Sequence, residues 1–176
     1  MSDIIVNKVA QSGIVTIDLE LYKEKDAVVP FDLKPFLFKE MILREKDFRA
    51  SMKTLDWTTY SAKNVAIFCS VDAIIPMWAY MLIVTNLEEV DAKGYSGTLE
   101  EVEEQLLIKN IQNLPAEDYF EKRVVIKGCS DHPLPASAYV EISKKMLPVV
   151  TSLMFGEPCS TVPVYRKKRN LNDRRK

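Results

Sequence analysis

The sequence predicts an α/β fold: a mixed sheet with an N-terminal β-hairpin and two repeated strand-loop-helix units, the helices packed on the sheet. Three observations predict it. Short apolar runs bounded by turn residues are followed by longer segments of helical spacing. One strand-loop-helix pattern occurs twice, around Val65–Tyr80 and Val124–Tyr139. A capping box, Thr98-Leu99-Glu100-Glu101, opens the clearest helix.

Ile14 to Tyr22 alternates apolar and polar residues, and Val28 to Leu33 follows after the charged turn Lys23-Glu24-Lys25-Asp26, so the two are expected to pair as a hairpin. From Lys39 the spacing becomes helical, with Met41, Phe48, Met52 and Leu55 as inward residues before Asp56-Trp57. Val65 to Phe68 is a continuous apolar run, as in a strand covered on both faces, and Pro76 then opens a helix through Leu87. After the capping box Leu99, Val102, Leu106 and Ile111 share a face. Val124 to Lys127 is a second buried strand, and Pro135 opens a helix turning Tyr139, Ile142, Met146 and Leu147 inward, broken at Pro148. Gly156 suits a helix end, and Thr161 to Arg166 alternates like a last strand. Trp57 and Trp78 read as core or interface residues.

Composition narrows the function. Among 176 residues, 24 basic and 25 acidic side chains give a net charge of −1, leaving no general electrostatic case for nucleic acid or membrane. Residues 1–165 read as one α/β domain and carry −7, while the tail from Arg166 to Lys176 carries +6 and is expected to be disordered and solubilising. Five glycines and no G-x-G-x-x-G spacing argue against nucleotide-loop enzymes. The amino terminus lacks the apolar core of a secretory signal, and the longest uncharged run, Ala73 to Leu87, is interrupted by Pro76 and too short to span a bilayer. A cytoplasmic protein with reduced thiols is expected.

Residues 65–80 laid over 124–139 match at Val65/Val124, Ile67/Ile126, Asp72/Asp131, Pro76/Pro135, Ala79/Ala138 and Tyr80/Tyr139. Each copy places Cys-Ser after its strand, at Cys69-Ser70 and Cys129-Ser130, and the third cysteine is again followed by serine, at Cys159-Ser160. A helix start favours proline but has no need of cysteine. Thiols at the carboxyl end of a strand, just before a helix, lie where α/β proteins bind ligands and where the helix dipole favours thiolate. Cys129-Ser130-Asp131-His132 is a Cys-x2-His step, so Cys69, Cys129, Cys159 and His132 compose a candidate Cys3His zinc site. Three thiolates on an iron–sulfur cluster, a single reactive thiol with or without redox chemistry, and an interaction module with buried thiols, dimeric through its apolar helices, are the alternatives. The helix after Pro135 carries the chain away by ~18 Å over twelve residues, so Cys159 returns to the corner only through a break at Pro148 or a symmetric partner.

The residues also carry a resemblance. Val6-Asn7-Lys8-Val9, Cys69-Ser70 with Asp72-Ala73-Ile74, Pro76-x-Trp78-Ala79-Tyr80, Lys127-Gly128-Cys129-Ser130 and Gly156-Glu157-Pro158-Cys159-Ser160-Thr161-Val162-Pro163 together resemble the bacterial domain of unknown function 2480 family. The resemblance implies a cytosolic protein of this size, brings no activity or ligand, and leans toward thiolate ligation, with iron–sulfur binding or assembly as the alternative to zinc.

Overall fold

The computed structural model describes residues 13–127, 133–157 and 159–168. Two compact units divide the chain: an inserted unit, Glu24–Leu106, and a split unit made of the residues up to Lys23 and from Leu107 onward.

In the inserted unit, β1 belongs elsewhere and the sheet has the order β2-β3-β4, with β2 Val28–Asp32, β3 Asn64–Phe68 and β4 Lys93–Ser96, all parallel. Helix α1 (Glu45–Thr54) precedes β3, and α2 (Met77–Glu88) joins β3 to β4. In the split unit the order is β1-β5-β6-β7, with β1 Ile14–Ile17, β5 Arg123–Ile126, β6 Ser152–Glu157 and β7 Ser160–Arg166. The first three strands are parallel and β7 is antiparallel, so this is the mixed sheet. Helix α3 (Leu99–Gln112), which crosses the division so that only its residues from Leu107 on belong to this unit, precedes β5, and α4 (Ala136–Met146) joins β5 to β6.

The expected strands Ile14–Ile17 and Val28–Asp32 exist, but they do not pair with each other. Each lies in parallel beside the central strand of its own sheet. The alternation that marked them as strands says which face is buried, not which neighbour accepts the ladder. Instead of running on to Tyr22, the first strand ends where Asp18 accepts a hydrogen bond from the Glu20 amide and starts a 3-10 turn.

The echo read in the sequence extends through almost the whole of both units. Val28, Asn64 and Lys93 stand in register across one sheet, and Ile14, Arg123 and Ser152 stand in the same register across the other. A 3-10 turn precedes each central strand, at Trp57–Tyr60 and Ala116–Tyr119, and Ala62 and Glu121 follow them with matching positive φ of 56° and 57°. Core positions correspond: Leu33 with Leu19, Phe48 with Leu107, Met52 with Ile111, Val65 with Val124, Ile67 with Ile126, Ile83 with Ile142, and Leu87 with Met146, all buried. Pro76 and Pro135 are the N-caps of α2 and α4, and their carbonyls accept from the Ala79 and Ala138 amides.

The capping box forms as expected. The Glu101 carboxylate accepts from the Thr98 amide at 2.8 Å and the Thr98 hydroxyl accepts from the Glu101 amide at 3.3 Å. Trp57 donates to the Met52 carbonyl and stacks on Phe31, and Trp78 meets Phe48 edge-on, which makes both part of the aromatic core. Three inward readings and one helix-end reading change. Met41 is exposed because α1 begins only at Glu45; Leu99 and Leu147 sit at helix termini, where the inward stripe has run out. Gly156 lies inside β6 with φ +121°, not at a helix end: the Ser160 carbonyl oxygen would stand 2.5 Å from a Cβ there, so only glycine lets β7 fold back.

Candidate functional site

In parallel strands the carboxyl ends gather at one edge of the sheet, and the helix that follows each central strand starts there. In the inserted unit that edge is held by Asp32, the last residue of β2. Its carboxylate accepts from the Lys34 amide at 2.9 Å, the Ser70 amide at 3.0 Å and the Ser70 hydroxyl at 2.6 Å. Burial pushes the Asp32 carboxyl up, but the Ser70 hydroxyl, the two amides and the Lys34 charge outweigh it, and the group lies below the ordinary aspartate value. Cys69, partly buried against the core, is next to this clamp. The Tyr80 hydroxyl, one turn into α2, is shifted up by burial and by the proximity of Cys69.

The split unit repeats the clamp with different chemistry. Asp18 occupies the position of Asp32, caps its own 3-10 turn, and takes an ion pair at 2.7 Å from Lys127, the residue after β5. The Lys127 ammonium, then the Glu20 amide, hold the Asp18 carboxyl down against its partial burial. Sequence reasoning missed both aspartates. Their signal was present as Ile17-Asp18-Leu19 and Phe31-Asp32-Leu33, a strand-ending acid followed each time by a buried leucine.

Cys159 is exposed in the tight turn between β6 and β7. Because α4 ends at Met146, just before Pro148, and β6 then runs parallel to β5, the turn after β6 lies at the same edge as the end of β5. Ile17, Ile126 and Phe155 are in register there, and Lys127 donates from its amide to the Ile17 carbonyl. The break at Pro148 therefore returns Cys159 to the carboxyl edge without a partner. Glu157, the last residue of β6, has a buried carboxylate oxygen, Oε1, with no hydrogen-bond partner among the described residues. Cys129 and His132 lie outside the described residues. The expectation that all the thiols share one sheet edge is corrected: Cys69 follows β3 in the three-stranded sheet, and Cys159 follows β6 in the four-stranded one. Two sheets arise because each of the first two strands takes a different central strand as its neighbour. Among the described residues no group of three or more His, Cys, Asp or Glu side chains is gathered closely enough to hold a metal ion.

Two concavities flank this arrangement within the split unit. An apolar pocket of about 350 Å³ is lined by Ile126, Tyr139, Ile142, Leu153, Phe155 and Val164 among others, with Tyr139 and Phe155 packed edge to face. A wider cleft of about 810 Å³ opens at the other edge, where Arg123, Thr151 and Ser152 meet Tyr165, Arg166, Lys167 and Lys168. Among the described residues no helix is long and apolar enough to cross a membrane.

These features define an α/β protein of two like units, each with an acid-clamped corner at the carboxyl edge of its sheet. The chain belongs to the family of proteins of unknown function DUF2480, whose model matches residues 3–167. No curated protein and no solved structure matches it.

Proposed function

We propose that the protein binds a metal ion, zinc, at the carboxyl edge of the four-stranded sheet through Cys159, Cys129 and His132, with the Glu157 carboxylate beside them. One observation carries this reading: β6 runs parallel to β5, so Cys159 comes to the edge at which β5 leads through Lys127 toward Gly128-Cys129. Glu157 adds a buried carboxylate oxygen without a hydrogen-bond partner among the described residues, near enough to Lys127 to act on its ammonium, and thiolate, imidazole and carboxylate are each zinc ligands. Cys69 stands on another sheet, and this site does not require it. Thiolate, imidazole and carboxylate must all be deprotonated to bind, so metal uptake releases protons.

Elemental analysis of untagged protein purified anaerobically tests the reading. About one equivalent of zinc is expected, lost in Cys159→Ser and Cys129→Ser and kept in Cys69→Ser; less than about a tenth of an equivalent in the native protein overturns it. The exposure of Cys159 favours a second reading, a thiol that reacts without metal. Metal-free protein whose Cys159 alkylates rapidly near neutral pH would establish that one instead, and iron accompanied by sulfide would point to a cluster.

A further inference from the structure

The inserted unit carries an apolar surface that the fold does not require. Ile74 is 88 % exposed, Met77 71 %, Met81 70 %, Met41 65 %, Ile42 58 % and Phe38 39 %. Backbone bridges join Phe38 to Ile42 and Ile42 to Ile74, and Met77 and Met81 follow Ile74 one turn apart on α2. The split unit is an internal control. It builds the same strand and helix, with Pro133, Ala136 and Val140 in the places of Ile74, Met77 and Met81. Packing the helix onto the sheet therefore has no need of an isoleucine and two methionines facing water.

We infer that this patch is the interface of a homodimer, in which the 38–44 segment of one copy lies against the 74–81 segment of the other. The six side chains expose on the order of 800 Å², above the largest patch of a typical monomer and close to what each partner contributes to a standard interface. The charges around the patch decide the occupant. Lys39, Glu40 and Arg44 lie within the 38–44 segment, with the Arg44 guanidinium 3.2 Å above the Phe38 ring, while Asp72 precedes the other segment and the Arg49 guanidinium stands 5.4 Å from the Trp78 ring. Both segments thus carry both signs, and a two-fold contact of one segment with the other can set unlike charges together at its rim. A rim of both signs suits a second copy; an anionic bilayer would select a single basic sign. With a net charge of −1, two copies meet without long-range repulsion.

Sedimentation equilibrium of the full chain, from about 1 to 100 µM, tests this. The expected particle is twice 20.1 kDa. Met77→Asp with Met81→Asp is expected to weaken the dimer by at least about 100-fold, since each change buries an unpaired charge. Ile42→Glu, on the other segment, does the same without touching α2. Val140→Asp, the corresponding exposed site of the split unit, leaves association unchanged. Circular dichroism confirms that the variants are folded. A monomer throughout the range, a dimer indifferent to both sets of changes, or a monomer that sediments with anionic vesicles through this patch overturns the inference. None of these outcomes depends on the metal reading.

Discussion

In the inserted unit the central strand is followed by a corner whose serine is clamped by Asp32, and by a helix with Met77 and Met81 facing water. In the split unit the same strand is followed by Lys127, paired to Asp18, and by a helix opening with Ala136. Beneath these surfaces the cores agree position by position, from Leu33 and Leu19 through Ile83 and Ile142. The comparison separates what the fold requires from what each unit adds. Buried apolar side chains, the strand-ending acid and the N-cap proline are held in common; the exposed methionines belong to one unit, and the β6–β7 hairpin with Cys159 to the other.

The strongest way to break this comparison is to cut the same hole in both cores. Ile83 and Ile142 are both 0 % exposed. Ile83→Ala and Ile142→Ala are each expected to cost about 2–5 kcal/mol, because the lost transfer energy adds to that of a cavity which neighbours fill only in part. If the units share one packing solution, urea melts will place the two losses within about 1 kcal/mol of each other. A large disparity would confine the likeness to the backbone.

Where the units differ inside, a smaller effect sharpens the comparison. Gly94 in β4 stands where Leu153 stands in β6. A Cβ on Gly94 would come 3.0 Å from Ile67 Cδ1 and 3.1 Å from both Leu87 Cδ1 and Val84 Cγ2, so the neighbours already occupy the volume that Leu153 fills in the split unit. Gly94→Ala is expected to destabilise by about 1–3 kcal/mol through overpacking. Removing the nearest methyl with Ile67→Val should reduce that cost, so the double variant loses less than the two single losses together. Strict additivity in thermal or urea melts would mean that the crowding lies elsewhere.

Such substitutions also mark how far the sequence could be read. The Thr98 box, the two prolines and the runs Val65–Phe68 and Val124–Ile126 were legible, because each states its own local cause: a cap, a fixed φ, a strand buried on both faces. β4 was not, since Lys93-Gly94-Tyr95-Ser96 is short and half polar and draws its order from β3 alongside it. β6 was hidden by Gly156, which reads as a terminator until a following antiparallel strand gives its positive φ a purpose. The pairing of β1 and β2 was misread because proximity in sequence favours a hairpin, while the ladder each makes is with a strand far along the chain. For the candidate site, the return of Cys159 depends on a parallel strand that no local pattern announced.

The smallest effect concerns the clamps. Asp32→Ala removes the acceptor of three hydrogen bonds and is expected to cost about 1–2 kcal/mol. Asp32→Asn keeps an acceptor and loses the charge, so its cost isolates the ionised state. Since the folded Asp32 carboxyl lies below its ordinary value near 3.8, its contribution is complete above that value. It is lost as pH falls from the unfolded value through the folded one, because there the unfolded chain binds the proton first. The native protein should therefore lose stability more steeply below about pH 4 than Asp32→Asn does, and the two curves should run parallel at neutral pH. Asp18, also held down, contributes in the same direction in both proteins and cancels from the difference. Equal acid limbs would show that the Ser70 hydroxyl binds the neutral carboxyl as well as the carboxylate, leaving the clamp a matter of hydrogen-bond geometry and not of charge.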